Sequence, residues 1–561
     1  MLKMSQVYFL IAGCCLVGSL AYAGVDGAVS GVIKNPQGKA VPGIRVKIFS
    51  KGSTKVLKEV ETDAEGRYHL FPIETGDYRI AIEDGAGFQN VSPISQDMIH
   101  VDMGGGTNLD FQLSSYLNDD PNQPPMEEVG KEMLVEVVAK KRVFRSAHSM
   151  SSTEISEEKI RRLPMGSETS LPRLLTTTTP GSVEGPFGQV FFRGNHGNIQ
   201  YQIDGVQMPE SPSNTFGQAF SPRNIDHMEV ITGGIPAEYG QRLSAVVNVV
   251  TKSGKEDPGG EIELNYGAYN TVSPHLLYGG SNETGNLHYF FSLNYNQTER
   301  GLDTPQPFDV NQTDQGGGES IHNFASGNSE FAKIDWQIDN SNKLTFNLFN
   351  SFSHFQIPNY PGSFSPNDSF FSQEEDHGHG HTHRLFNYVP SNTDDSQAET
   401  NAYTQVVWKH SFSERAFLQV APYYKYSQIV VNNDLLNDLY TAPGGAGYLA
   451  TAAPSSLIMN RHVNDLGLKL DYSIRPTDRH LFKTGFQFQA SQADGAFSLQ
   501  RSLDPAVALS DPDHYSTVSD GHSTTGYFAG IYAQDDYTVA EPLVLNVGLR
   551  FDATQFNFFD V

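Results

Sequence analysis

Gln189-Val190-Phe191-Phe192-Arg193-Gly194, Tyr201-Gln202-Ile203-Asp204-Gly205-Val206 and Ala245-Val246-Val247-Asn248-Val249-Val250-Thr251-Lys252 frame the stretch that decides the fold of this chain. Between the last two stand Asn224-Ile225-Asp226-His227-Met228-Glu229-Val230 and Pro236-Ala237-Glu238-Tyr239-Gly240. Runs of β-branched and aromatic residues alternate with glycine-bearing breaks, which reads as short strands joined by tight turns. Asp204-Gly205 lies between apolar residues, and glycine accepts the positive φ that such a turn needs. Val246 to Val250 is a β-branched run interrupted only by Asn248, so a buried strand is expected there.

Taken together and in this order, the Arg-Gly, the Asp-Gly-Val, the Glu-Val, the Tyr-Gly and the closing Val-Asn-Val-Val-Thr-Lys resemble the plug domain of TonB-dependent outer-membrane receptors and transporters. The ordered set carries the resemblance; no single piece does. Many members have Arg-Gly-Pro after the Glu-Val. Here the chain reads Thr232-Gly233-Gly234-Ile235-Pro236, a form that resembles the branch with an extra N-terminal domain. The resemblance implies an α/β plug seated in a transmembrane barrel. Arg193, Asp204, Glu229, Glu238 and Arg242 are its polar residues at family-matching or adjacent positions. Carboxylates beside an arginine also occur in enzymes, but no nucleophile accompanies these and the resemblance assigns no catalysis. They are expected to form ion pairs that fix the plug in a polar lumen, and the chain is not expected to be an enzyme. Gly104-Gly105-Gly106 lacks the helix and lysine of a phosphate-binding loop.

Composition agrees with a barrel. The chain has 561 residues, too many for one ordinary domain, and only 38% are hydrophobic. Yet 11% are aromatic, with 25 Tyr and 35 Phe, and there are 52 Gly. That balance disfavours helical membrane spans. It suits strands of which alternate residues meet lipid, with aromatic girdles at the interfaces. A formal charge of −26 disfavours nucleic acid, whose phosphates need a basic face.

The chain is expected to divide as follows. Residues 1–23 read as a secretory signal: Lys3, an apolar run from Val7 to Leu20, and Ala21-Tyr22-Ala23 as the cleavage site. Ile11-Ala12-Gly13-Cys14 is a rival lipoprotein box. Both cysteines, Cys14 and Cys15, fall inside the signal, so cleavage after Ala23 leaves no thiol for disulfides or metal. Residues 24–115 alternate at period two between turn clusters, as in a small antiparallel β-sandwich. Pro42-Gly43, Thr62-Asp63, Gly66-Arg67-Tyr68 and Gly76-Asp77-Tyr78 resemble the carboxypeptidase regulatory-like domain, a non-catalytic module. Residues 116–131 are a polar, proline-rich linker. Residues 132–255 hold the TonB-box region and plug. The resemblance implies that Met133, Leu134, Val135, Glu136, Val137, Val138 and Ala139 pair as a strand with the TonB-type energy-coupling protein. The first plug strand is the alternative for the same residues. Ser156, Glu157 and Glu158 mark a capped helix start, and Pro164 ends it.

Residues 256–561 are expected to form part of an outer-membrane barrel, with about eleven strands by the alternation rule. In Leu287 to Tyr295, Leu287, Tyr289, Phe291, Leu293 and Tyr295 share one face; His288, Phe290, Ser292 and Asn294 share the other. Tight turns fall at Asp339 to Asn342, Phe412 to Arg415 and Arg475 to His480, and are assigned to the periplasmic side. The long connections, Thr298 to Ser329, Gln356 to Thr400 and Val430 to His462, are assigned outside. Family barrels close with about twenty-two strands. An open edge in lipid leaves backbone groups unpaired. The expectation is therefore an N-terminal piece of a longer protein, with a smaller barrel as the alternative.

The sharpest local feature is Glu374-Glu375-Asp376-His377-Gly378-His379-Gly380-His381-Thr382-His383. His377, His379, His381 and His383 after three carboxylates can wrap a divalent metal, and imidazole suits zinc or copper. A solvated polar loop that binds metal only incidentally is the bland alternative. No resident cofactor is expected. The function implied by the resemblance is import of a scarce solute, such as a metal ion, metal chelate or siderophore, across the outer membrane of a Gram-negative cell. The sandwich would lie in the periplasm. The alternative is a surface binding or adhesion protein that keeps the plug and barrel without transport.

Overall fold

The structure is a computed structural model that describes residues 27–35, 38–50, 56–73, 76–83, 94–101, 106–112, 141–144, 151–163, 171–184, 190–194, 199–208, 220–240, 244–255, 258–299, 301, 322–339, 341–357, 394–413, 415–433, 455–477, 479–502, 515–540 and 543–560. Met133 to Ala139, Arg242 and Glu374 to His383 lie outside the described residues.

The first unit is a two-sheet sandwich. One sheet runs β4 (Arg67–Ile73), β1 (Gly27–Lys34), β7 (Gly106–Leu109), β9 (Lys141–Phe144), with β8 (Phe111–Gln112) also on β1. The other runs β3 (Lys58–Glu61), β2 (Arg45–Ser50), β5 (Gly76–Glu83), β6 (Ile94–Val101). Val29, Val46, Ile48, Leu70, Ile80 and Ile82 are buried between the sheets, as period-two alternation requires. The expectation of a purely antiparallel sandwich needs correction, because β1 pairs in parallel with both β7 and β8. The chain returns to β1 only after completing the second sheet, and the sequence pattern carries no sign of strand direction.

The motif residues of this unit close its turns. Thr62 Oγ1 donates to Val41 O at 2.8 Å and accepts from Ile44 N at 2.9 Å, so one hydroxyl pins the Pro42-Gly43 turn. Asp63 Oδ1 accepts from Arg67 N at 2.8 Å across the Gly66 turn. Tyr68 donates to Leu109 O at 2.6 Å, tying β4 to β7. Burial, then the nearby Asp110 charge, pushes the Tyr68 hydroxyl well above the usual phenol range, so it remains a donor.

The plug is a five-stranded sheet in the order β10 (Ser151–Ser156), β15 (Ile225–Gly233), β16 (Ala245–Thr251), β13 (Ile199–Ile203), β14 (Val206–Gln207). The Val-rich run forms β16 at the sheet's centre, buried nearly throughout. Ser156 caps the helix Glu157–Arg161 by accepting from Lys159 N at 3.3 Å. A second helix, Leu171–Thr178, packs Leu171, Leu174 and Leu175 into the core. A two-stranded ribbon joins β11 (Ser182–Glu184) to β12 (Val190–Phe192).

An eleven-stranded antiparallel sheet follows, each strand paired with the next. Its strands are β17 (Gly259–Gly267), β18 (Thr271–Ser281), β19 (Leu287–Thr298), β20 (Ala325–Gln337), β21 (Asn342–Gln356) and β22 (Ser396–Ser413). Then come β23 (Ala416–Asn432), β24 (Ser455–Thr477), β25 (His480–Ser502), β26 (Tyr515–Ala540) and β27 (Leu543–Asp560). The alternation read from the sequence holds. Phe291, Leu293 and Tyr295 face outward, while Phe290, Ser292 and Asn294 are buried inward. Ile262, Leu264 and Tyr266 on β17 and Val547, Leu549 and Phe551 on β27 continue the outer apolar surface. No helix among the described residues is long and apolar enough to cross a membrane.

The sandwich touches the sheet. Phe71 of β4 packs edge-on against Phe417 of β23, with ring centroids 5.3 Å apart, and Ala28 is buried in the same cluster. His69 sits beside Phe71, close to Arg415 and Arg475 at the short-turn ends of β23 and β24.

Candidate functional site

The site is the surface along which the plug meets the inner wall of the large sheet. Its first part is the tip of the β13–β14 hairpin. Asp204 and Gly205 have φ of 47° and 83°, the two left-handed residues of a two-residue hairpin turn. The turn points the Asp204 carboxylate at four donors. Thr251 gives its backbone N at 3.0 Å and Oγ1 at 2.7 Å; Asn347 gives Nδ2 at 2.8 Å; Lys333 Nζ lies at 3.2 Å. Lys333 also donates to Thr251 Oγ1 at 2.9 Å, and Lys469 Nζ donates to Gly205 O at 2.8 Å. Three wall strands, β20, β21 and β24, thus grip one turn.

The second part is the loop before β16. Glu238 Oε1 lies 3.2 Å from Lys483 Nζ and accepts from Gln534 Nε2 at 3.3 Å, while Gln534 Oε1 accepts from Glu238 N at 3.0 Å. Arg550 Nη1 donates to Glu238 O at 3.2 Å and Ala237 O at 3.4 Å. The guanidinium lies where a side chain at Gly240 would start, so the glycine of the Tyr-Gly motif is what admits the arginine.

The remaining contacts explain the end of the motif stretch. Lys252 pairs with Glu157 of the plug helix at 2.7 Å. Ser253 donates to Asp335 at 3.1 Å, and Asp335 in turn accepts from Thr345 at 2.6 Å and pairs with Lys343 at 3.0 Å. Arg223 pairs with Glu263 on β17. Arg193, at φ 51°, places its guanidinium against Gly233. Glu229 sits in the plug sheet between Glu154 and Asn248. Of the polar plug residues singled out in the sequence, Asp204 and Glu238 bond to the wall, Arg193 lies beside Gly233 of the plug, and Glu229 stands within the plug sheet.

Two plug groups are electrostatically displaced. Burial pushes the Asp226 carboxyl up, but the His227 hydrogen bond at 2.5 Å and the His227 charge outweigh it, so its pKa is lowered. Burial, then the Glu238 charge, pushes the Tyr239 hydroxyl well above its usual range. Both effects stabilise one protonation state and provide no proton at neutral pH. Among the described residues, no group of three or more His, Cys, Asp or Glu is placed to hold a metal ion.

Lys333, Lys469, Lys483, Gln534 and Arg550 were not legible as plug partners. Their only signal is position: each falls on the inward-facing register of its strand. Nothing in the sequence says which plug residue each one meets.

The polar inward face of the eleven-stranded sheet thus packs against a small α/β plug. Residues 28–114 match the carboxypeptidase regulatory-like domain, and residues 145–247 match the TonB-dependent receptor plug domain. The chain is similar to the TonB-dependent transporter Oar of Myxococcus xanthus, 22% identical over 266 residues, covering 46% of this chain and 23% of that protein. The fold resembles the ferric-catecholate import receptor Fiu of E. coli K12 (TM-score 0.52, 14% identity, 73% of this chain and 60% of that one). It also resembles FpvA of P. aeruginosa, solved bound to heterologous pyoverdines (TM-score 0.51, 15% identity, 75% and 54%). The chain therefore spans less than two thirds of the length of each of these relatives. Its two matched domains and its fold are of the kind found in TonB-dependent receptors.

Proposed function

We propose that this protein takes up a scarce solute across an outer membrane, with energy delivered by an inner-membrane TonB-type protein that grips Met133 to Ala139. The observation that carries the reading is the mode of plug seating. Asp204 and Glu238 are held by Lys333 and Lys483 of the wall through polar contacts that water can replace. Such a seat holds a closed state yet permits movement under load. For the solute, a metal ion or metal chelate is the best-supported class. The Glu374 to His383 tract has the donor set for zinc or copper, and Fiu is named for ferric-catecholate import. The sandwich then lies on the periplasmic side, against the short turns.

The test compares cells expressing the parent with Val135→Pro, which removes a strand donor from the coupling segment. Uptake and surface binding of radioactive zinc and of ferric citrate are measured in parallel. Uptake should be lost while binding persists. Uptake unchanged by the substitution overturns the coupling assignment. Binding without energy-dependent uptake in the parent favours a surface receptor or adhesin.

A further inference from the structure

The sandwich reaches the inward face of the large sheet at its short-turn end. Along β23, Phe417, Gln419, Ala421 and Tyr423 alternate with residues of the outer surface, and all four are buried. Phe417 pairs directly with Ser473, and Gln419 with Asp471, so these four side chains share one face. Lys469, next on that face of β24, holds Gly205 of the plug at 2.8 Å. The Phe417 ring therefore stands on the surface that seats the plug. Phe71 covers this ring from the sandwich, and Ala28 completes the cluster. In β4, Leu70 faces the sandwich core while Phe71 faces away from it. His69, on the same face of β4 as Phe71, lies near Arg415 and Arg475. The backbones of those two arginines join the ends of β23 and β24, Arg475 N donating to Arg415 O at 2.8 Å. Beyond Phe71 the chain turns into β5. Asp77 at its start is close enough for its charge to act on Asp226 of the plug. The corner between β4 and β5 thus stands against the wall on one flank and approaches the plug with its tip.

A phenylalanine that faces away from its own domain's core is unfavourable in the free domain and leaves water only on docking. We infer that the docked sandwich is a latch on the plug. It occupies the inward face at the short-turn end, and the plug cannot leave its seat in that direction until Phe71 parts from Phe417. The free energy of docking then adds to that of the plug's own polar seat. Strand β9 gives the latch a handle. It pairs with β7, from Lys141 with Leu109 to Phe144 with Gly106. In the chain it stands between Met133 to Ala139 and β10, the first strand of the plug sheet. A load on Met133 to Ala139 therefore reaches the sandwich before it reaches the plug. Use of the latch as a gate rests on the import reading; the latch itself stands on the contacts alone.

The purified full-length protein tests the latch, with Leu277→Cys as the probe. Leu277 lies on β18 in the cluster that the plug core and the wall share. About 24 Å of sheet separates β18 from β23, so only departure of the plug uncovers the thiol. Labelling by a cationic methanethiosulfonate is followed at a fixed, sub-denaturing urea concentration. It is counted on the peptide that holds residue 277, which leaves Cys14 and Cys15 out of the reading. Phe71→Ser and Phe417→Ser, each in this background, should raise the labelling rate roughly tenfold or more. The double variant should stay within about twofold of the faster single one, because both substitutions open the same contact. A rate unchanged by either substitution, or single effects that multiply in the double variant, overturns the latch. Phe71→Ser decides alone if Phe417→Ser does not assemble, since residue 71 lies outside the sandwich core. Energy-dependent uptake absent in a parent whose labelling follows the expected pattern counts against import and leaves the latch standing.

Discussion

Asp204 of the plug and Lys333 of the wall lie 3.2 Å apart at the tip of a two-residue hairpin, both side chains nearly enclosed. Removing one partner of such a pair leaves the other charge buried. Asp204→Ala should therefore weaken plug seating by about 3–5 kcal/mol. Lys333→Met in the same background should return most of it, since an apolar replacement of both partners is often near neutral. The urea midpoint for plug release, followed by near-ultraviolet circular dichroism, measures both. A single variant as stable as the parent would show that the pair does not hold the plug.

His69 makes docking of the sandwich depend on pH. Burial, followed by the charges of Arg475, Arg415 and Lys58, lowers its pKa from 6.5 to about 2. The docked domain thus holds the imidazole neutral, and the undocked domain binds the extra proton between those values. The contribution is complete above pH 6.5 and is lost progressively as pH falls below it. At pH 5 docking should be weaker by up to about 2 kcal/mol. Limited proteolysis of the sandwich from pH 7.5 to 5 should show rising release, and His69→Gln should flatten the profile.

Thr62 is the single hydroxyl joining Val41 and Ile44. Thr62→Val keeps the shape and strips both hydrogen bonds, leaving a buried carbonyl and amide unsatisfied. Destabilisation of the sandwich by about 2–3 kcal/mol is expected. A fall in the sandwich's own melting transition, with the barrel transition unmoved, is the outcome to look for by calorimetry.

Replacing His377, His379, His381 and His383 together by Ala should abolish binding of zinc or copper. The parent site is expected at a Kd of about 1 µM or tighter, near −8 kcal/mol. Isothermal titration of the two purified proteins measures this. Equal binding would make the tract solvated decoration and leave an organic solute as the better reading.

Local chemistry made much of the fold legible. Asp204-Gly205 announced its turn because few residues accept positive φ, and the strands announced themselves because lipid and lumen demand alternate side chains. The helix Leu171–Thr178 left little trace in the sequence, since Pro172 and three threonines are weak helix formers; yet proline fits a first turn, where its missing N–H goes unused. Parallel pairing of β1 was also hidden, because direction leaves no mark on composition. For the site, Asp204 and Glu238 stood out as polar residues, but Lys333 and Lys483 lie far along the chain. Only the closing of the sheet around the plug brings them near.

The Phe71–Phe417 contact sets an order of events. The sandwich is complete by residue 144, and domains tend to fold as units from the N-terminus onward. Its landing surface, formed by Phe417 with Arg415 and Arg475, exists only after β22 to β25 have assembled. A finished sandwich must therefore wait, undocked, for the wall. Docking of the sandwich therefore follows assembly of this part of the sheet.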